Sequence, residues 1–347
     1  MKRIALFAHY DRDGIIDDYV IYYLRGLSRV ADKIVFVSDS ELRRGEAAKL
    51  NGLADLAFAG RHAEYDFGSW KRGLQSLNFD LAEWDELILA NDSCYAPIYS
   101  FEDAFDRMDQ VNCDFWGATA NNIGGKFDHI SSYFMVFRRP ILADDDFLSF
   151  WMQIEPQPDV GAIVEKYECG LSRLLTARWY RYASLTPAAE VGSFATTRYV
   201  HKTLHDYRSC WLKVRLVRDN PIRAARLGEA LDNLREIYPK RLVNCHLERM
   251  LGTSEPRHHF YAIGGKWRFK RGGVEVSCHL KKGKPHKQEH RRFDWMKIYV
   301  YVVGIPVFAL AWPVKRAVSD VRRKPASLFK TQDAPYLFAE NKIWGAP

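Results

Sequence analysis

A short apolar run that ends in three polar residues is the feature that most constrains the fold of this chain. Residues Glu86–Ala90 have the composition of a buried parallel strand, and Asn91, Asp92 and Ser93 follow directly. Because ligands of open α/β sheets lie beyond the carboxyl ends of the strands, these three side chains predict a binding site. Their hard oxygen atoms suit Mg²⁺ or Mn²⁺ carrying a diphosphate, with Asp92 as the metal ligand. The alternative is a helix cap or a turn, since the same residue types are preferred there.

The first 150 residues alternate between segments typical of strands and segments with a helical spacing of apolar residues. The predicted strands are Arg3–Ala8, Lys33–Val37, Leu56–Ala59, Glu86–Ala90, Cys113–Ala118 and Ser131–Phe137. The predicted helices are Asp17–Val30, Glu41–Leu53, a helix that begins at Ser69, and Ser100–Asp109 with Ser100 as its cap. Residues 160–182 and 221–234 predict further helices, and residues 258–280 predict a hairpin. This order predicts an α/β fold of Rossmann type, in which a mostly parallel sheet carries helices on both faces.

Two further segments are candidates for holding a nucleotide. His9, Tyr10 and Asp11 follow the first predicted strand and therefore belong to the same sheet edge. The chain contains neither G-x-G-x-x-G nor G-x-x-x-x-G-K-[ST], which disfavours the common dinucleotide and P-loop sites. The alternative for the first segment is a simple turn.

The second segment is Tyr65–Arg72. Asp66 offers a carboxylate to ribose or sugar hydroxyls, and Gly68 permits close approach of the backbone. Lys71 could face a phosphate at the positive end of a helix that Ser69 caps. The alternative is a helix start with a solvated basic face.

A third group of polar residues is suited to an acceptor. His129, Ser131 and Ser132 lie where a loop leads into a predicted strand. Glu168 lies in a helical pattern, and a carboxylate near a bound sugar could remove a proton from a hydroxyl group. The alternatives are a structural histidine and an exposed helical glutamate.

Charge is distributed unevenly along the chain. Residues 1–190 contain 20 Lys+Arg and 30 Asp+Glu, and residues 191–347 contain 31 and 13, so the two parts carry −10 and +18. The basic part predicts contact with a polyanion, either nucleic acid or an anionic membrane surface. Its histidines and cysteine match no standard zinc ligand spacing; they are His258, His259, Cys278, His279, His286 and His290.

Several segments of the chain, taken in order, resemble the rhamnan synthesis protein F family. The segments are Phe7–Asp11, Tyr65–Trp70, Asn91–Pro97, Asp114–Gly117, His129–Phe134 and Tyr167–Ser172. The resemblance covers roughly residues 1–220 and implies a GT-A-like fold for nucleotide-diphosphate sugars. Under this resemblance, Asn91-Asp92-Ser93 takes the place of the Asp-x-Asp element of related transferases with a single carboxylate, and His62 and Glu64 depart from the family pattern.

The resemblance implies a bacterial glycosyltransferase of cell-wall rhamnan or O-antigen synthesis. It would move a sugar, rhamnose from dTDP-rhamnose, onto a lipid-linked glycan with inversion. Glu168 would be the base, and Asp92 would steady the leaving diphosphate with a cation or basic side chains. The donor would be held by residues of the first three segments: His9, Tyr10, Asp11, Asp66, Gly68, Trp70, Lys71, Asn91 and Ser93. His129, Ser131 and Ser132 would hold the acceptor. Two alternatives are a nucleic-acid-binding protein that uses residues 257–296 and a non-catalytic assembly factor at the membrane.

The predicted domains are a transferase domain over 1–220, a basic helical and hairpin extension over 221–293, a membrane-associating segment over 294–325 and a tail over 326–347. Ile298–Val314 contains 17 residues without a charge, which is short for a full span, and basic residues flank both ends. We therefore expect a peripheral or monotopic anchor at the cytoplasmic face of the inner membrane. The alternative is a buried core helix or a pair of strands.

Overall fold

The computed structural model describes residues 1–122, 128–186, 200–219 and 233–252, two single positions at 227 and 231, and the backbones of five short strands between 269 and 338. The chain forms two compact units, Met1–Pro256 and Arg257–Pro347. The first unit therefore extends past residue 220, where the sequence predicts a domain boundary.

The first unit is built on a mixed sheet. Its strands are β1 (Arg3–His9), β2 (Lys33–Ser38), β3 (Leu56–Ala59), β4 (Glu86–Asn91), β6 (Phe115–Asn122), β7 (Asp128–Ile130), β8 (Phe134–Arg138) and β9 (Tyr182–Thr186). They lie in the order β3-β2-β1-β4-β8-β6-β7, with β9 also paired to β6. The pairs β1–β2, β1–β4, β2–β3 and β6–β9 are parallel, and β8 pairs antiparallel with both β4 and β6. A second small sheet joins β5 (Cys94–Tyr95) to β10 (Leu212–Lys213).

The helices of this unit are α1 (Asp18–Leu27), α2 (Tyr65–Ser76), α3 (Phe101–Asp109), α4 (Arg139–Leu142), α5 (Asp145–Met152), α6 (Val160–Ile163), α7 (Cys169–Ala177), α8 (Val200–His205), α9 (Val214–Asp219) and α10 (Lys240–Leu251). A π-helical turn over Val164–Glu168 joins α6 to α7. Short 3-10 turns occupy Ala47–Leu50 and Leu234–Glu236.

Side chains of the central strands alternate between two cores, one on each face of the sheet. Phe7 faces the core that contains Tyr23 of α1 and Phe101 of α3. Leu6 faces the core that contains Trp70 of α2 and Trp151 of α5. The predicted α/β fold, with a mostly parallel sheet and helices on both faces, is confirmed.

Close packing inside the sheet depends on one glycine. A Cβ added to Gly117 on β6 would lie 2.2 Å from Ile130 Cγ2 and 2.9 Å from the carbonyl oxygen of Phe134. Both distances are shorter than real contacts, so β6 approaches its neighbours at a separation that only glycine allows.

Three local predictions were wrong. Residues 41–53 form only the 3-10 turn Ala47–Leu50, because Gly45 has a φ of 88° and interrupts a helix there. The helix predicted over 160–182 ends at Ala177, and the chain enters β9 at Tyr182. Helix α2 begins at Tyr65, so Ser69 does not cap it. The predicted cap at Ser100 is confirmed, since its side chain accepts a hydrogen bond from the backbone N–H of Asp103.

In the second unit the structure describes only strand backbones. The strands β11 (Phe269–Arg271) and β12 (Val274–Val276) pair antiparallel, within the range where a hairpin is predicted. The uncharged run lies in β13 (Trp295–Val302) and β14 (Ile305–Pro313), which pair antiparallel, and β15 (Leu337–Phe338) pairs with β14. The backbone is thus the strand pair that the sequence left open as an alternative. The histidines and the cysteine considered for zinc lie outside the described residues.

Candidate active site

The carboxyl ends of β1 and β4 meet at one edge of the sheet, and the Asn91-Asp92-Ser93 segment lies there. β4 ends at Asn91, and Asp92 and Ser93 form a turn that leads into β5. The side-chain oxygen of Asn91 accepts hydrogen bonds from the backbone N–H of Ser93 at 3.1 Å and from its hydroxyl at 2.6 Å. These residues form a turn and cap no helix.

Asp92 is half-buried and joins the ends of the two strands. Its Oδ2 accepts the backbone N–H of Tyr10 at 2.9 Å, and its own carbonyl accepts the Tyr19 hydroxyl at 2.9 Å. Burial, and then the nearby Asp66 carboxylate, raise the pKa of Asp92 well above its usual range. His9 Nε2 lies 3.9 Å from Asp92 Oδ2, but burial lowers the pKa of His9 to about 4. The imidazole is therefore neutral at pH 7 and offers Asp92 no ionic partner.

Asp66 reaches the same edge from α2. It lies in the first turn of that helix, where a negative charge is favoured. Asn91 Nδ2 donates a hydrogen bond to its carboxylate at 2.7 Å. Burial raises the pKa of Asp66 to about 6 despite this bond. Asn91 thus lies between two carboxylates: it is hydrogen-bonded to Asp66 and precedes Asp92 in the chain. The raised pKa values show that the charged forms of both carboxylates are disfavoured.

The other three candidates from the α2 segment make contacts within the protein. A Cβ on Gly68 would lie 2.2 Å from Glu64 Cβ, so this glycine is needed for packing of the turn before α2. Trp70 is fully buried and donates its indole N–H to the Ala90 carbonyl at 3.1 Å. Lys71 Nζ donates to the Ile154 carbonyl at 2.6 Å.

Of the three candidates after β1, Tyr10 is exposed, whereas His9 and Asp11 are hydrogen-bonded to other residues of the protein. Tyr10 is 51% exposed, and the Arg61 guanidinium lies 5.1 Å from the centroid of its ring. His9 Nδ1 is hydrogen-bonded to the Ser38 hydroxyl at 2.8 Å. The carboxylate of Asp11 accepts a hydrogen bond from the guanidinium of Arg249 at 2.6 Å. Tyr10 is therefore the residue of this segment that presents an open aromatic face.

Glu168 is the last residue of the π-helical turn. Hydrogen-bond donors of Ser132 and His129 hold its carboxylate. Its Oε2 accepts the backbone N–H of Ser132 at 2.8 Å and also the Ser132 hydroxyl, and its Oε1 lies 3.2 Å from His129 Nε2. Burial would raise the pKa of Glu168, but the hydrogen bonds from His129 and Ser132 outweigh it and lower the pKa. Glu168 is consequently ionised at neutral pH and fixed in orientation.

Two neighbours complete this part of the site. His129 is buried, and its Nδ1 has no hydrogen-bond partner among the described residues. Ser131 Oγ accepts a hydrogen bond from Asn121 Nδ2 at 2.5 Å, and the backbone N–H of Ser131 donates one to the Thr119 carbonyl at 3.0 Å. The structure therefore brings His129, Ser132 and Glu168 into direct contact.

Sequence reasoning missed Lys213. This residue lies on β10, and its Nζ donates to Ser93 Oγ at 3.1 Å and lies 3.9 Å from the centroid of the Tyr133 ring. Ser93 and Lys213 are 120 residues apart in sequence, so no local pattern could have placed them together.

Carboxylates at this edge raise the question of a divalent cation. Within the part of the chain that the structure describes, no group of three or more His, Cys, Asp or Glu side chains is arranged to hold a metal ion. One oxygen of Asp92 already accepts the Tyr10 N–H, and one oxygen of Asp66 accepts Asn91. Asp66 and Asp92 are the carboxylates at this edge that would face a cation carried by the donor's diphosphate.

The chain is similar to known proteins over most of this unit. The family model described as Rhamnan synthesis protein F matches residues 34–264, which is more than half of the chain. The chain belongs to the rhamnan synthesis protein F family. This membership confirms the resemblance seen in the sequence.

One curated relative matches over part of its length. Uncharacterized protein y4gN of Sinorhizobium fredii (strain NBRC 101917 / NGR234) is 24% identical over 184 residues, which are 52% of this chain and 48% of that protein. The chain thus spans about half the length of the curated relative that it matches.

Two solved structures show distant similarity. A protein described as a nucleotide-diphospho-sugar transferase from Desulfovibrio desulfuricans G20 aligns with a TM-score of 0.35 and 14% identity, over 72% of this chain and 98% of its own. A glycosyltransferase involved in glycosylation of the major capsid of PBCV-1 aligns with a TM-score of 0.33 and 9% identity, over 68% of this chain and 100% of its own.

No helix in the described ranges combines the length and the apolar content needed to cross a bilayer.

Proposed function

We propose that this protein is a glycosyltransferase that moves a sugar from a nucleotide-diphosphate donor onto a growing polysaccharide. The observation that carries the proposal is the meeting of Asp66, Asn91, Asp92 and Ser93 at the carboxyl edge of the parallel strands, with Glu168 fixed by the acceptor-side residues. Ligands of open α/β sheets bind at this edge. Family membership supports the same class of reaction.

The donor site is proposed to occupy the ends of β1 and β4. The exposed ring of Tyr10 offers a stacking surface for a nucleobase. Asn91 and Ser93 offer hydrogen bonds to the diphosphate or the sugar, and Asp66 offers a carboxylate to sugar hydroxyls. Asp92 holds the β1 end in place through the Tyr10 N–H, which fixes the distance between the two strand ends.

The acceptor hydroxyl is proposed to approach Glu168. Its proton would pass to the Glu168 carboxylate while its oxygen attacks the anomeric carbon of the donor. The bond from that carbon to the diphosphate oxygen breaks, and its electron pair leaves with the diphosphate. A single direct displacement of this kind inverts the anomeric configuration.

The finer assignments follow the family description. We propose rhamnose from dTDP-rhamnose as the donor and a lipid-linked cell-surface glycan or O-antigen as the acceptor, at the cytoplasmic face of the inner membrane. The family description as rhamnan synthesis supports the sugar. The uncharged C-terminal run between basic flanks supports a membrane-bound acceptor.

The proposal is tested by incubating the purified full chain with a panel of nucleotide sugars and following release of the nucleoside diphosphate. We expect turnover with at least one sugar and a loss of about a hundredfold in Asp92→Asn, because an amide is a weaker acceptor for the Tyr10 N–H and loosens the junction between the ends of β1 and β4. Circular dichroism controls for folding of the variant.

Three results would contradict parts of this assignment. Wild-type turnover by Asp92→Asn excludes a role for the Asp92 carboxylate in positioning the strand ends. Failure of the whole panel to bind or react would favour an assembly factor. Salt-sensitive binding of DNA without nucleotide-sugar binding would favour the nucleic-acid alternative.

A further inference from the structure

We propose that Lys213 supplies the positive charge that holds the donor's diphosphate, in the role that a metal ion fills in metal-dependent transferases. This inference rests on the proposed function, since it assigns a residue to the leaving group of that reaction.

The position of Lys213 is set by backbone pairing. The short strand β10 pairs antiparallel with β5, so that Lys213 stands opposite Cys94. The backbone N–H of Val214 donates to the carbonyl of Ser93 at 2.9 Å. Lys213 is therefore attached directly to the turn that ends β4, where a diphosphate is expected.

The ammonium group is held but not neutralised. It donates to Ser93 Oγ at 3.1 Å and lies 3.9 Å from the Tyr133 ring centroid, a favourable position for a cation. An ammonium group has three donors, and Ser93 uses one of them. Within the described ranges Lys213 forms no ion pair with a carboxylate. The Asp66 carboxylate interacts with this charge without forming an ion pair, and the ammonium group keeps two further donors for an anion.

Two other basic side chains near this edge, Arg249 and Arg72, are already paired. Arg249 binds Asp11 at 2.6 Å and Asp17 at 2.5 Å, and Arg72 binds Glu64 at 2.7 Å. The described carboxylates provide no three-ligand metal cluster. Because the departing diphosphate gains negative charge as the sugar bond breaks, a fixed ammonium beside it would stabilise the transition state.

The test compares wild type with Lys213→Met and Lys213→Arg as full chains. Binding of dTDP, UDP and GDP and of the matching nucleosides is measured by calorimetry, with and without EDTA. We expect Lys213→Met to lose about ten- to a hundredfold in affinity for the nucleoside diphosphate and little for the nucleoside. Lys213→Arg should recover part of the loss, and EDTA should change wild-type affinity by less than about twofold.

Lys2→Met is the matched control. Lys2 pairs with Glu83 at the opposite, amino-terminal edge of the sheet, so its removal changes the same charge far from the site. Equal diphosphate affinity in Lys213→Met and wild type overturns the inference and leaves the proposed function standing. Loss of wild-type binding in EDTA overturns it in favour of a metal ion. Absence of any diphosphate or nucleotide-sugar binding by wild type overturns both proposals together.

Discussion

The carboxylates at the sheet edge differ in the number of donors around them, and this difference determines their protonation. Glu168 has donors from both Ser132 and His129, and its pKa is lowered. Asp66 has one from Asn91, and burial raises its pKa to about 6. Glu168 therefore carries a stable charge at neutral pH, whereas the charge on Asp66 is held at a cost in free energy.

Replacing Glu168 with glutamine should separate catalysis from donor binding. We expect kcat to fall about a hundred- to ten-thousandfold, the usual contribution of a general base, with the Kd of the donor nearly unchanged. The companion Ser132→Ala removes donors to the carboxylate and should move the acidic limb of the kcat–pH profile to higher pH. A collapse of donor affinity with normal kcat at saturation would make Glu168 a binding residue.

Replacing Asp66 with asparagine should stabilise the fold at neutral pH while weakening donor binding. The native pKa of about 6 lies above the unfolded value of 3.8, so the native state binds more protons between these values and stability falls as pH rises through them. Removing the charge should raise the free energy of unfolding by about 1–3 kcal/mol at pH 7.5. Urea titrations at pH 7.5 and near pH 4 measure this.

The pH dependence provides the control for that prediction. Near pH 4 the wild-type carboxyl is largely protonated, so the stability difference between Asp66→Asn and wild type should shrink towards zero. If Asp66→Asn raised the free energy of unfolding equally at both pH values, the stabilisation would come from packing and not from removal of the charge.

Elements whose residues are near one another in sequence were predicted well, and long-range pairings were not. The strand ending at Asn91 and the cap at Ser100 depend on local composition, and both are present. The helix predicted at 41–53 failed because Gly45 adopts a positive φ, which composition does not reveal. Lys213 and Arg249 reach the site only through pairing of β10 and packing of α10. Periodicity carries no information about such tertiary contacts.

Helix α10 is attached to the β1 end through Arg249, and removal of this side chain should destabilise the unit. Its guanidinium contacts Asp11, Asp13 and Asp17 and is only 19% exposed. Arg249→Met leaves a buried Asp11 without its partner, for which we expect a loss of about 3–5 kcal/mol at pH 7. Chemical denaturation monitored by tryptophan fluorescence measures it.

Arg241→Met is the matched control on the same helix. Arg241 pairs with Asp18 at 3.1 Å but is 70% exposed, so its loss should cost less than about 1 kcal/mol. The effect of Arg249→Met should diminish in acid, because the lowered pKa of Asp11 gives stability that is present at neutral pH and lost as pH falls through that pKa. If both variants lost the same free energy of unfolding, Arg249 would contribute no more to stability than the exposed Arg241.

At the scale of the whole molecule, the acidic and basic parts of the chain separate two tasks. Residues 1–190, with a net charge of −10, contain the proposed catalytic carboxylates, while residues 191–347 carry +18. An acidic surface is repelled by anionic lipid, and a basic one is attracted to it. We therefore expect membrane contact to belong to the C-terminal part, which contains the uncharged run Ile298–Val314.

Vesicle binding tests this assignment on the full chain. We expect it to sediment with vesicles of phosphatidylglycerol and much less with phosphatidylcholine, because each nearby basic residue contributes about 1 kcal/mol on an anionic surface. A chain truncated after Arg292 should bind the anionic vesicles at least about tenfold more weakly and keep its donor affinity.

Ionic strength separates the two contributions to that binding. The basic residues Lys315, Arg316, Arg322, Arg323 and Lys324 follow the uncharged run, and screening by salt should weaken their part over a Debye length of about 8 Å. The apolar part should persist, because burial of hydrocarbon surface is insensitive to moderate salt. If salt abolished vesicle binding completely, the apolar run Ile298–Val314 would make no contribution of its own to membrane affinity. A full chain that stays in the soluble fraction at low salt and ignores anionic vesicles would exclude the membrane assignment, since both attractive terms are then absent.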